Sequence, residues 1–351
     1  MRPITDWEKY EERLQSLMGD DGTMIRRFTE FVSKTPQRVV FSEGNTDAVV
    51  RCAARLHRDG VCRPVLLGNE EMIGKRAARL GIDISGIEII NPRHDREEDR
   101  RRRYAGLLFK KRERKGMTMA AALDLMFDRT YFGLMTVESG DADALIIGTH
   151  SAGARLLGDV ADIVGIKDGM DHFATMHILT TRRGTFYMAD TAVNPVSDRE
   201  ALVDIIRQTD AAVRFFGKEP VMAMLSYSNF GSNLDDREPR TASEAVRTIH
   251  TDYPEIQIDG EMQLDYALDA RLRDRTFPFN TIKGKEVNTL IFPNLSAANM
   301  TYKMMLAMGV GSMVGPIQIG LRKPVYFTNI NSSERELADL AVMACLDAIH
   351  R

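Results

Sequence analysis

Short apolar runs alternate with helix-forming stretches along most of this chain, and that alternation limits the fold more than any other feature. Arg38-Val39-Val40-Phe41 has the β-branched and aromatic content of a strand, Ser42 to Asp47 reads as a turn, and Ala48 to Arg58 reads as a helix. Arg63 to Gly68 is a second strand, followed by a helix near Glu70 to Leu80, and Ile87 to Ile90 is a third strand. Asp143 to Gly148 is a further strand that ends in the loop Thr149-His150-Ser151-Ala152-Gly153. Strands that take turns with helices predict parallel sheets covered by helices on both faces.

The texture changes near residue 165. Met176 to Thr180 and Thr185 to Met188 flank Arg182-Arg183-Gly184, the signature of a β-hairpin. A helix at Asp198 to Phe216, a strand at Val221 to Ser226, a helix at Ala242 to His250, a strand at Ile256 to Ile258 and a helix at Met262 to Arg273 follow. A buried strand, Val287 to Phe292, then leads through Pro293-Asn294 into a helix. The pattern predicts a second α/β lobe inserted into the first. The boundaries are 35–163 plus 316–351 for lobe I and 164–315 for lobe II, with an N-terminal helical region at 1–34. In that region Thr5-Asp6-Trp7-Glu8 fits a capping box, and Trp7, Tyr10, Leu14 and Leu17 share one helical face. Met117 to Glu138 reads as one long buried helix, and Ser333 to His350 as the last.

Composition excludes several classes. The 351 residues carry 47 Lys+Arg against 50 Asp+Glu, which argues against a dedicated nucleic-acid binder. Arg93 to Lys115 includes four consecutive arginines, Arg100 to Arg103, but Asp95, Glu97, Glu98, Asp99 and Glu113 interleave with the basic residues. A solvated helix with intrahelical pairs is expected there. Cys52, Cys62 and Cys345 have no metal-ligand spacing and read as small buried hydrophobes of a reducing compartment. No apolar run has the length of a membrane span, and the first residues lack the apolar core of a signal peptide, so a cytoplasmic location without membrane contact is expected. Gly309-Val310-Gly311 is followed by Gly315, not by a glycine at dinucleotide spacing. No Walker A sequence and no pair of histidines at helical metal-binding spacing occurs, so no metal or cofactor is expected in this chain.

The polar loops after apolar strands are the candidate sites, because α/β proteins bind ligands at the carboxyl ends of their strands. Ser226-Tyr227-Ser228-Asn229-Phe230-Gly231-Ser232-Asn233 has small residues that allow backbone N–H groups to approach an anion, and the residues alone leave an ordinary turn equally open. In Asp259-Gly260-Glu261-Met262-Gln263-Leu264-Asp265, Asp259 can order neighbouring loops and Glu261 can complement a helix N-terminus. Asn294 to Lys303, with Asn299 between them, is a strand-to-helix turn whose first N–H groups favour a phosphate. Arg112 and Arg155 offer guanidinium forks suited to phosphate geometry, with a solvated surface charge as the competing reading.

These segments resemble phosphotransacetylases, enzymes that move an acetyl group between coenzyme A and phosphate. The resemblance runs over roughly 37–351 and is strongest after Val221. It rests on the Ser226 to Asn233 loop, on Asp259 to Asp265, and on Asn294 to Lys303 followed by Gly309-Val310-Gly311-Ser312-Met313-Val314-Gly315-Pro316 and Gly320-Leu321-Arg322-Lys323-Pro324-Val325. It implies two α/β/α lobes of the isocitrate/isopropylmalate dehydrogenase-like type, with a coenzyme A cleft between them, and a homodimer formed largely through the inserted lobe. It also implies ligand contacts from Arg112, Arg155, Ser226, Ser228, Asn229, Asn294, Asn299, Lys303 and Asn329. Catalytic members carry Ser-Arg-Gly after the Lys-Pro-Val stretch and an Asp further on. Here those positions read Asn329-Ile330-Asn331 and Glu336, and Ala307 replaces a further coenzyme-contacting Arg.

The first residues, Arg2 to Leu14, resemble the connector of large bacterial hybrid malic enzymes, which fuse a malic enzyme to a C-terminal phosphotransacetylase-like domain. That narrower resemblance implies a regulatory domain that binds acetyl-CoA or CoA as an allosteric effector, without acetyltransferase activity. Oxidative decarboxylation of malate to pyruvate, with NADP and a divalent metal, would then belong to an upstream malic-enzyme domain. A working phosphate acetyltransferase and a purely structural dimerisation domain are the alternatives.

Overall fold

The computed structural model describes residues 24–149, 153–329 and 332–351, and for residues 149, 153–155 and 329 the description is confined to the backbone. The capping box at Thr5 and the helical face from Trp7 to Leu17 lie outside the described residues, as do His150, Ser151, Ile330 and Asn331. The chain divides into two compact units, 24–167 with 321–351, and 168–320.

In the first unit a helix, α1 (24–32), precedes β1 (Arg38–Phe41), α2 (Asp47–Arg58), β2 (Arg63–Leu67), α3 (Glu70–Leu80) and β3 (Glu88–Ile90). Then come α4 (Glu98–Arg112), α5 (Met119–Leu125), α6 (Arg129–Glu138), β4 (Ala144–Thr149) and α7 (Gly153–Val164). The unit closes with β11 (Val325–Asn329) and α13 (Glu334–Ile349), reached after the second unit. Its strands form one sheet in the order β11-β4-β1-β2-β3, and every pairing is parallel. Val39, Val40, Val65, Leu66, Leu67, Leu145 and Ile147 are buried, as continuous apolar strands covered on both faces require. All three cysteines are buried and outside any disulfide, and burial pushes the Cys52 thiol up to about 12.

The second unit holds β5 (Ala174–Thr181), β6 (Gly184–Ala189), α8 (Arg199–Phe215), β7 (Met222–Leu225), α9 (Arg237–Asp252) and β8 (Ile258–Met262). α10 (Leu264–Leu268), α11 (Ala270–Thr276), β9 (Thr289–Ile291), α12 (Leu295–Ala307) and β10 (Gly311–Ile319) complete it. Its sheet runs β10-β5-β6-β9-β7-β8. The β10-β5-β6 part is antiparallel, whereas β6, β9, β7 and β8 run parallel. The loops after β7 and β9 therefore leave the sheet at the same edge.

Four expectations change. The helix read from Met117 to Glu138 is two helices, because Asp128 caps α6 by accepting the N–H groups of Thr130 and Tyr131. The helix read from Met262 to Arg273 breaks at Asp269, whose carboxylate accepts the N–H of Leu272. β8 runs to Met262, so Asp259 and Glu261 lie within a strand and not in the loop after it. β10 continues through Pro316 to Ile319, which moves the return to the first unit to Leu321.

The charged helix α4 is only partly a solvated surface. Arg102 pairs with Glu98 one turn away, but Arg101 is buried and donates to the carbonyls of Pro92 and His94. Arg103 reaches Asp141 outside the helix.

Candidate functional site

The loop at 226–233 is shaped by a carboxylate from the neighbouring strand. Glu261 is fully buried, and its Oε1 accepts both the Ser228 hydroxyl and the Gly231 N–H at 2.8 Å. Its main-chain carbonyl accepts the N–H of Phe230, which the loop holds at φ 46°. The strand reaches this position because residue 260 is glycine: a Cβ there would stand 2.6 Å from the Met224 carbonyl.

The same loop then closes on itself. Ser226 Oγ accepts the Ser228 N–H, Ser232 Oγ accepts the Asn229 N–H, and Ser228 Oγ accepts the Asn233 N–H. Asn229 O accepts the Ser232 N–H, and Asn229 Oδ1 accepts the Gln263 N–H. Every N–H from Ser228 to Asn233 thus has an internal partner, as in the ordinary turn that the residues alone left equally open. The physical reason is the serine-rich composition: each hydroxyl competes locally for a backbone donor. The second oxygen of Glu261 has no hydrogen-bond partner among the described residues.

Asn294 is the N-cap of α12. Its Oδ1 accepts the Ala297 N–H, and its Nδ2 donates to Glu238. A carboxylate of the chain itself therefore stands beside this helix start, the place expected to favour phosphate. Asn299 donates to the Tyr302 hydroxyl at 3.3 Å, and Lys303 is exposed. Tyr302 stacks on His177 with centroids 4.4 Å apart. Burial holds His177 down to about 3, and its Nδ1 meets the Thr191 hydroxyl at 2.8 Å. Asp259 does order a neighbouring segment: it accepts the Thr281 N–H.

In the first unit, Arg112 closes α4 and pairs with Asp159 at 2.7 Å and Asp162 at 3.2 Å. Both acids come from α7, and the Tyr131 hydroxyl also donates to Asp159. Arg112 is thus neither a free phosphate fork nor a solvated charge, because its planar head is matched by carboxylates. Arg155 lies on α7, and Asn329 is the last residue of β11, in register with Thr149. Glu336 has a different task from the one its position suggested. Its Oε2 accepts the Ser333 N–H at 2.7 Å and the Ser333 hydroxyl at 2.9 Å, forming a capping box at the start of α13.

The structure brings Ser226, Ser228 and Asn229 into one loop, and Asn294, Asn299 and Lys303 onto one helix that starts at the same sheet edge. Arg112 belongs to the other unit. Arg129, Glu43 and Asn45 went unread in the sequence: Arg129 donates to Asn45 and Glu43 at the ends of β1 and β4. Only the break before Arg129, signalled by Asp128 as a cap, could have marked it.

An all-parallel unit joined to a mixed-sheet unit, with polar loops at strand ends, is the architecture of phosphotransacetylases. The profile for phosphate acetyl/butaryl transferase matches residues 23–345, and the chain belongs to that family. Phosphotransacetylase from Streptococcus pyogenes superposes with a TM-score of 0.84 at 28% identity, over 94% of this chain and 99% of that one. The EutD phosphotransacetylase from Staphylococcus aureus gives 0.80 at 27% identity, over 93% and 98%. In sequence, the chain is 32% identical to an NAD-dependent malic enzyme of Rhizobium meliloti (strain 1021) and to an NADP-dependent malic enzyme of Escherichia coli (strain K12), in both cases over 99% of this chain. It spans less than half of those relatives, 45% and 46%. It is equally similar, 32%, to a phosphate acetyltransferase of Thermoanaerobacterium thermosaccharolyticum, over 93% of this chain and 99% of that protein. The chain is thus a phosphotransacetylase-like domain of the kind found in malic enzymes. Among the described residues no helix is long and apolar enough to cross a membrane.

Proposed function

We propose that this chain senses acetyl-CoA for a malic enzyme and does not transfer the acetyl group. The observation that carries the reading is the state of Glu336. Glu336, the carboxylate at the position of the family's Asp, is bound by its own helix cap, while Asn329 and Ile330 replace the Ser and Arg. A carboxylate that serves a capping box is not placed to assist a thiol, and small misplacements are costly to catalysis. Oxidative decarboxylation of malate to pyruvate, with NADP and a divalent metal, belongs in this reading to an upstream malic-enzyme domain. Acetyl-CoA regulates it by binding one global state more tightly than another. Calorimetric titration with acetyl-CoA tests the reading: absence of binding at millimolar ligand contradicts it.

A second reading, a working phosphate acetyltransferase of the cytoplasm, is favoured by the equal similarity to a phosphate acetyltransferase over nearly its whole length. It predicts CoA-dependent consumption of acetyl phosphate above the blank. Self-association accompanies either reading. Met300 and Met304 on α12 and Met308 at its C-cap follow each other at one-turn spacing and are 67%, 57% and 71% exposed. Such an apolar stripe on a soluble domain marks a contact surface, and a homodimer through the second unit covers it.

A further inference from the structure

We propose that Glu43, Asn45 and Arg129 form a ligand subsite within the first unit that recognises a secondary amide, the group repeated along a pantetheine arm. The proposal rests on the reading of acetyl-CoA as the ligand and extends it to residues that no motif marked.

The position is the first argument. In an open parallel sheet, ligands bind outside the carboxyl ends of the strands, where the strand order reverses. Here β2 and β3 lie on one side of β1, whereas β4 and β11 lie on the other. The reversal therefore falls between β1 and β4. Glu43 is the second residue after β1, and Gly148 is close to the end of β4.

The local geometry is built to hold these side chains. A Cβ on Gly148 would overlap the Cγ of Glu43, so the Glu43 side chain lies across the end of β4 and needs a glycine beneath it. Ser42 is buried and its Oγ accepts the Gly148 N–H at 3.3 Å, which ties the two strand ends together. Arg129 is the first residue of α6, and its Nη1 donates to Asn45 Oδ1 at 2.7 Å. Its Nη2 reaches Glu43 Oε2 at 3.3 Å. Asn45 thus orients the guanidinium, while the carboxylate meets it through a long contact. The side chains of Arg129 and Glu43 keep 33% and 18% exposure.

The chemistry follows from the donor and acceptor inventory. A carboxylate only accepts, and a guanidinium only donates, with five N–H groups in a fixed plane. Side by side they present acceptors and donors with nearly cancelling charge. A group that carries one N–H and one carbonyl oxygen satisfies both, and a secondary amide is that group. Free phosphate is an anion and meets the like charge of Glu43.

The experiment titrates the wild-type chain, Glu43→Ala and Glu43→Gln with acetyl-CoA and with adenosine 3′,5′-bisphosphate, which has the nucleotide but no amide. Glu43→Ala is expected to weaken acetyl-CoA by about tenfold or more, the size of one lost charge-assisted hydrogen bond, and to leave the bisphosphate unchanged. Glu43→Gln keeps a carbonyl acceptor beside Arg129 and is expected to stay within about threefold of wild type. Should Glu43→Ala fail to fold, Asn45→Ala releases the guanidinium and is expected to weaken acetyl-CoA selectively as well. Equal losses for both ligands, or no loss for acetyl-CoA, overturn the subsite. A wild-type chain that binds the bisphosphate as tightly as acetyl-CoA also overturns it but leaves nucleotide binding standing. A chain that binds neither ligand removes the acetyl-CoA reading together with the subsite.

Discussion

The loop at 226–233 and the outer face of α12 rise from neighbouring strands of one sheet and end in opposite conditions. In the loop every main-chain N–H from Ser228 to Asn233 is matched, and two of the acceptors belong to Glu261, which is completely buried. On α12 the inner residue Tyr302 is stacked against His177, whereas Met300, Met304 and, at the C-cap, Met308 are exposed. The loop is satisfied by its own groups, and the helix face is the part for which self-association is proposed. A self-satisfied polar loop is rigid and pre-organised, which suits recognition without rearrangement. An uncovered apolar stripe requires something else to bury it.

The comparison breaks most sharply at Glu261. Replacing it by Ala strands the Gly231 N–H and leaves the Ser228 hydroxyl with Ser232 alone, which costs about 3 kcal/mol in a denaturant titration. Glu261→Gln keeps an acceptor and should cost far less. If Glu261→Ala behaves like a surface substitution, the loop is not held as described.

The inner face of α12 carries a pH dependence. Burial lowers His177 to about 3 in the folded chain, against about 6.5 for a free imidazole. Above pH 6.5 the ring is neutral in both states and the stability is complete. As the pH falls below 6.5 the unfolded chain takes up the proton first, so stability declines until about pH 3. Between pH 7 and pH 5 this residue accounts for a loss of about 2 kcal/mol. Denaturant midpoints measured at both pH values on wild type and His177→Gln check it: the variant should show a shallower slope, and identical slopes contradict a buried neutral ring.

The outer face is tested by Met304→Glu. A buried methionine side chain is worth about 1.5–3 kcal/mol, so a charge there should weaken self-association by tenfold or more in light scattering. Monomers at every concentration for wild type would show that the stripe is covered in some other way.

The smallest effect is expected at Glu336→Ala. Loss of the capping box lowers stability by about 1 kcal/mol. It leaves acetyl phosphate consumption at the blank rate, whereas a catalytic carboxylate would show a loss of turnover.

Much of the fold was legible because its signals are local. Strands such as Val39 to Phe41 and Leu145 to Ile147 are apolar runs of strand length, and the helices between them carry their own caps, as Thr46 and Asn69 do. The site was less legible, since its partners are remote in sequence. Glu261 reaches Ser228 across 33 residues, Arg112 reaches Asp159 across 47, and Arg129 reaches Asn45 across 84. Composition around Arg112 suggested a solvated charge because the acids of α7 lie far along the chain. Residues 117–138 looked continuous because Met, Ala and Leu favour a helix throughout, and only the Asp128 side chain interrupts it. At Glu336 the resemblance drew attention to a catalytic Asp, whereas a capping box four residues long, Ser333 to Glu336, was readable locally.

The central claim is that the chain recognises acetyl-CoA and does not turn it over. The most direct measurement pairs calorimetric titration of the chain with acetyl-CoA and an assay of acetyl phosphate consumption in the presence of CoA, on the same sample. Saturable binding with consumption at the blank rate is the predicted result. Consumption above the blank, or no binding at millimolar acetyl-CoA, contradicts it.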